Sequence, residues 1–163
     1  MSIWKAAICK VLQGGGRGAV AGLAMALALP LPAGAQHVAD CDGRTMAQAI
    51  AEPWSANTAT FANGAIRLAV MDGLEPAAGA YHLMILSPPR SELGQRQCRV
   101  VSARGSFGFA GLSLAGATAS YDPGTGLLVS LPAKRWSEGG ILTDTRLLVS
   151  INQASGAISG ILE

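Results

Sequence analysis

The sequence predicts an all-β fold, an antiparallel β-sandwich with one short N-terminal helix, and three observations carry that expectation. Apolar residues alternate at every second position through most of the chain beyond residue 64. Turn signals rich in Gly, Pro, Asn and Asp recur every 8–15 residues after Asn63. The resulting eight or so strands follow one another through short connections, without the strand and helix alternation of parallel sheets. A small closed β-barrel fits the same strand count and is the alternative.

The N-terminus is set apart from this pattern. Lys5, Lys10 and Arg17 precede an apolar run from Ala19 to Leu29, and Pro30, Pro32 and the small residues Ala33-Gly34-Ala35 follow. This is the layout of a secretory signal peptide over residues 1–35, with cleavage expected between Ala35 and Gln36. The run is too short for the roughly 20 apolar residues of a membrane span. No cysteine stands directly after the small residues and no twin arginine precedes the run, which points to general secretion. Residues 36–163 are then expected to form one β-rich domain, periplasmic or secreted. The excess of Arg over Lys and the abundance of Ala suit a GC-rich bacterial genome.

The net charge of +2 belongs to the leader. Without Lys5, Lys10 and Arg17 the remaining chain carries 9 basic and 10 acidic residues, with no basic cluster to serve as a nucleic-acid footprint. The cysteines follow the same division. Cys9 leaves with the leader, and Cys41 and Cys98 remain as a pair that an oxidising compartment would join in a disulfide.

In chain order, residues 36–44 read as an extended lead-in, and Asp42 or Thr45 can cap a helix with Met46, Ala49 and Ile50 on one face, ended by Pro53. Residues 54–61 read as a weak edge strand, and Asn63-Gly64 as a turn. Ile66, Leu68 and Val70 share one face of the next strand. In the strand after it, Tyr81, Leu83 and Ile85 share one face and His82, Met84 and Leu86 the other, until Pro88-Pro89 stops the ladder. Residues 96–103 form a strand with Cys98 directed inward, and residues 106–115 another, bent at Gly108 or Gly111. Residues 117–121 and 127–131 flank Asp122-Pro-Gly-Thr-Gly126 as a hairpin. Residues 134–140 read as a loop, 142–151 as a long strand, and 157–162 as the last.

No catalytic constellation emerges. Gly111-Leu-Ser-Leu-Ala115 misses the nucleophile-elbow pattern by one residue, and no histidine follows His82. Asp144-Thr-Arg lacks the glycine of an aspartic-protease turn. Histidine and methionine can bind copper, so His82 with Met84, and His37 beside the amine that cleavage would create, are weak metal candidates. No cofactor is implied. Lys134, Arg135 and Trp136 are the candidate recognition patch, because Trp and Arg are enriched at interfaces. The chain therefore reads as an exported, non-catalytic binding or interaction module for an unknown protein or cell-envelope component. A copper-handling protein and an enzyme without a recognisable motif are the alternatives.

Overall fold

The structure, a computed structural model, describes residues 34–137 and 139–163. The leader expected over residues 1–35 lies outside the described residues except for Gly34 and Ala35, and Glu138 lies outside them too.

Two-residue alternation builds the first sheet. Strands β3 (Ile66–Asp72) and β4 (Tyr81–Arg90) pair antiparallel, with Leu68 opposite Ile85 and Val70 opposite Leu83. Strand β5 (Arg96–Ser102) pairs with the far edge of β4, β1 (His37–Asp40) with β5, and β2 (Thr58–Phe61) with β3, giving the order β1-β5-β4-β3-β2. The second sheet is built on the long hairpin of β8 (Gly126–Trp136) and β9 (Leu142–Ile151). Strand β10 (Ile158–Leu162) pairs with β9, while β7 (Thr118–Asp122) and then β6 (Gly111–Leu112) share the other edge of β8. The fold is thus an all-β sandwich of two antiparallel five-stranded sheets, and the barrel alternative is set aside because the sheets do not close.

The core lies between the inward rows. Ile66, Leu68, Val70, Leu83, Ile85 and Val101 of the first sheet meet Val129, Leu131, Leu147, Val149 and Ile151 of the second, all withdrawn from solvent. Burying each such side chain contributes about 1.5–3 kcal/mol, so these rows dominate the stability.

The first sheet is also covered on its outward face, and topology explains how. Asp40 pairs with Arg99 of β5, whereas Ile50 bridges Met71 of β3 and the Ala51 N–H donates to the Val70 carbonyl at 2.9 Å. Strand β4 lies between β5 and β3, so residues 41–49 have to cross the outward face. That crossing segment lies over the outward positions Met71, His82, Val100 and Ser102, all buried, and the chain at Gly108 also closes on the His82 ring, which a Cβ there would meet at 3.0 Å.

The helix expected with Met46, Ala49 and Ile50 on one face is not there. Residues 43–45 and 47–49 form two single 3-10 turns, with Met46 and Ile50 extended between and after them. Ile50 and Ala51 are drawn into the ladder of β3, which a continuous helix would prevent. Asp42 does cap the first turn, its Oδ1 accepting from the Arg44 N–H at 2.9 Å. The one α-helix among the described residues, α1 (Trp54–Asn57), occupies the start of the expected edge strand, and Pro53 begins it instead of ending a helix before it. Proline has no N–H to lose at a helix start.

Three strand boundaries also differ from expectation. Strand β4 resumes at Arg90 opposite Arg96 after a register shift at Pro88-Pro89, since prolines remove two donors without ending the extended chain. Within residues 106–115 only Gly111–Leu112 is a strand, because the chain there passes from Phe109, bridged to Tyr81 in the first sheet, to β6 in the second. A Cβ on Gly108 would sit 2.6 Å from the Gly79 carbonyl oxygen and closer still to that of Tyr81, so the passage requires glycine. Lastly, Lys134, Arg135 and Trp136 continue β8 opposite Asp144, Thr143 and Leu142 instead of forming a loop.

Candidate functional site: an end cleft between the sheets

At one end of the sandwich the inward rows turn polar. Asp72 continues the row of Ile66, Leu68 and Val70. Its cross-strand partner Tyr81 continues the row of Leu83 and Ile85, and Thr145 continues that of Leu147, Val149 and Ile151. Past the last apolar layer a cleft of about 950 Å³ is lined by residues 48–52 and by both sheets, with Asp72 and Tyr81 from the first and Ala133 and Thr145 from the second. Ile50, Leu74, Leu112 and Pro132 supply its apolar lining, Glu52 and Asp72 supply carboxylates, and Lys134, Asp144 and Arg146 border it from the faces of β8 and β9 opposite to Ala133 and Thr145.

Each wall has an identifiable support. The segment of residues 48–52 is held by the Ile50–Met71 bridge, and the Asp72 Oδ1 accepts from the Leu74 N–H at 2.9 Å, fixing the turn that follows β3. Lys134 Nζ lies 3.3 Å from Asp144 Oδ1 across the hairpin, both side chains largely exposed, a pairing that contributes about 0–1 kcal/mol. Arg146 is committed sideways: its Nε donates to Ser130 Oγ at 2.8 Å and an Nη to the Ser130 carbonyl at 2.9 Å. Thr145 Oγ1 donates to the Glu163 carbonyl, tying β9 to the last residue of the chain. Glu52, Asp72 and Arg146 have no ion-pair partner among the described residues, so the lining carries two unpaired negative charges against one positive.

The cleft offers shape and charge more than reactive groups. Its carboxylates have no histidine among the lining residues to act with, and Ser113 Oγ accepts a hydrogen bond from the Ala115 N–H at 3.1 Å. An amphipathic ligand could place an apolar body against Ile50, Leu74 and Leu112 and a polar head at the rim.

Lys134 lines the cleft. Trp136, two residues on, shares its face of β8 and is 46% exposed, while strand alternation puts Arg135 on the opposite face, so the three do not form one continuous patch. The Trp136 Nε1–H donates to the Ala78 carbonyl at 2.8 Å, and the Phe107 ring presses on the neighbouring Gly79, so two aromatic side chains hold the 3-10 turn of residues 77–79 before β4.

Cys41 and Cys98 form a disulfide with Cα atoms 5.4 Å apart, as the cysteine pairing anticipates. Cys98 faces the crossing segment instead of the space between the sheets, because it shares the register row of Leu86 and not that of Ile85. The bond anchors the start of the crossing segment. Just beyond it, Asp42 and Arg44 form a multiply hydrogen-bonded pair, Arg44 Nη2 to Asp42 Oδ2 at 2.7 Å, which draws the Asp42 carboxyl down to about 2.

His37, Ser102, His82 and Met71 lie in one row across β1, β5, β4 and β3, a proximity that no sequence spacing reveals. His82 Nδ1 shares a hydrogen bond with Ser102 Oγ at 2.8 Å, and Met84 falls in the neighbouring row. Among the described residues no three His, Cys, Asp or Glu side chains are grouped to hold a metal ion. None of their helices is long and apolar enough to cross a membrane.

No family model, curated protein or solved structure matches this chain.

Proposed function

We propose that the protein is an exported, non-catalytic binding module whose ligand site is the end cleft, and that its ligand is a small amphipathic molecule of the cell envelope. The observation that carries this reading is the change from apolar to polar at the ends of the inward rows, at Asp72, Tyr81 and Thr145, where a cleft of about 950 Å³ replaces the sealed core. That volume suits a ligand of drug-like size. Export is supported by the leader pattern of residues 1–35 and by the Cys41–Cys98 disulfide, which is compatible with an oxidising compartment. Reduced intracellular conditions would leave the crossing segment without its anchor.

The test is chemical-shift mapping on the mature protein with a panel of three probes, a medium-chain alkylamine, a medium-chain fatty acid and an uncharged alkyl glucoside. The expected result is saturable shifts confined to residues 48–52, 110–113, 132–134 and 144–146, strongest for the amine because the unpaired Glu52 and Asp72 outnumber the unpaired Arg146. The variant Asp72→Asn should weaken the amine and leave the glucoside unaffected. Absence of saturable binding by all three probes, or shifts mapping to another face, contradicts the proposal.

A further inference from the structure

We infer that the mature chain begins with a pyroglutamyl residue formed from Gln36, an inference that rests on the export reading and its cleavage after Ala35. Three features of the structure converge on it. The Gln36 N–H donates to the Gly160 carbonyl of β10 at 2.7 Å, and the Gln36 Cβ lies against Gly160, 3.3 Å from where a Cβ of that residue would stand. The atoms N, Cα and Cβ of Gln36, three of the five in the ring to be formed, are thereby held against the sheet.

The side chain is folded back along its own backbone, its Nε2 donating to the carbonyl of Gly34 at 2.9 Å. That is the direction in which the ring closes. Finally, the leaving group gives up nothing in a mature chain. The one acceptor of Nε2 belongs to Gly34, which departs with the leader, so its loss as ammonia costs no hydrogen bond within residues 36–163, while Oε1, unpartnered with the leader residues in place, is carried over as the lactam oxygen.

The step balances without a co-reactant. The free α-amino nitrogen of Gln36 attacks its own side-chain Cδ, the N–Cδ bond forms, the Cδ–Nε2 bond breaks, and Nε2 leaves as ammonia after taking up the proton that the attacking nitrogen loses. The lactam nitrogen keeps one N–H for the Gly160 carbonyl, so the tie to β10 survives. The amine is consumed, which removes the ligand that His37 would need beside it to capture Cu(II).

The experiment is intact mass and N-terminal peptide mass spectrometry of the full-length gene product recovered from the periplasm, analysed fresh at neutral pH alongside Gln36→Ala. The expected result is a chain of residues 36–163 lighter by one ammonia, blocked to Edman degradation, with the Gln36→Ala chain at its unmodified mass and open to sequencing. A chain that starts at an unmodified Gln36 overturns the inference and leaves export standing. A chain that starts elsewhere, or retains residues 1–35, overturns the cleavage on which the inference rests.

Discussion

The imidazole of His82 and the hydroxyl of Ser102 meet at 2.8 Å on the outward face of the first sheet, both buried beneath the segment that crosses from β5 to β3. Burial, and after it the nearby Arg44 guanidinium, hold the His82 pKa below the ordinary 6.5, with Asp42 opposing. The unfolded chain therefore takes up this proton at a higher pH than the folded one, and stability rises with pH in the interval between the two values. The stability that depends on a neutral His82 is complete above 6.5 and is lost as pH falls through the folded value. Urea midpoints measured down from neutral pH should decline over that window, and His82→Gln should flatten the decline. An equally steep decline in the variant would show that other groups set it.

The Cys41–Cys98 bond closes a span of 57 residues, for which the loss of chain entropy in the unfolded state corresponds to about 4 kcal/mol. The paired variant Cys41→Ser, Cys98→Ser should lose stability of that order in chemical denaturation. Hydrogen exchange should show the first protection lost at residues 41–49, since the bond anchors the start of the crossing segment. Thiol titration of the denatured, unreduced wild-type protein should find neither cysteine free.

The crossing segment also shows where the sequence was readable and where it was not. Strand existence was legible because alternation such as Ile66, Leu68, Val70 is a local consequence of facing a core, and the Asp122 turn because Asp122 Oδ1 satisfies the N–H groups of Gly124 and Thr125 within three residues. The spacing of Met46, Ala49 and Ile50 suited a helix equally well, and what excluded it was a partner, Met71, that lies elsewhere in the chain. Lys134 to Trp136 resembled a loop because that end of the hairpin extends past the core, where no apolar alternation is demanded. The cleft had a faint signal in Asp72 and Thr145, polar residues at inward positions, but its walls come from separate segments that only the fold assembles.

Gly108 passes so close to the carbonyl oxygens of Gly79 and Tyr81 that a methyl group there must move backbone and not a flexible side chain. Gly108→Ala should destabilise by more than about 2 kcal/mol, well above the roughly 0.5 kcal/mol of surface substitutions. Gly43→Ala, where a Cβ meets nothing within 4 Å, serves as the control and should stay within about 0.5 kcal/mol. Thermal unfolding of the pair gives the comparison, and equal effects would contradict the close passage.

Trp136 fixes the turn before β4 through one hydrogen bond to Ala78. Trp136→Phe keeps an aromatic ring and removes the donor, so the global cost should be about 0.5–1.5 kcal/mol. The specific signature is faster amide exchange in residues 77–81 with unchanged exchange in β9. Uniform acceleration across both sheets would mean that Trp136 supports the whole sandwich instead of this turn.

Whether the end cleft receives an amphipathic ligand is decided by a crystal structure of residues 36–163 soaked with the tightest-binding probe of the alkylamine, fatty acid and alkyl glucoside series. The alkyl chain is expected against Ile50, Leu74 and Leu112, with the head group at the rim of Asp72 and Lys134. An empty cleft, with the probe bound elsewhere, for example in the second groove that Thr58, Thr60, Met84 and Leu86 line, would contradict it.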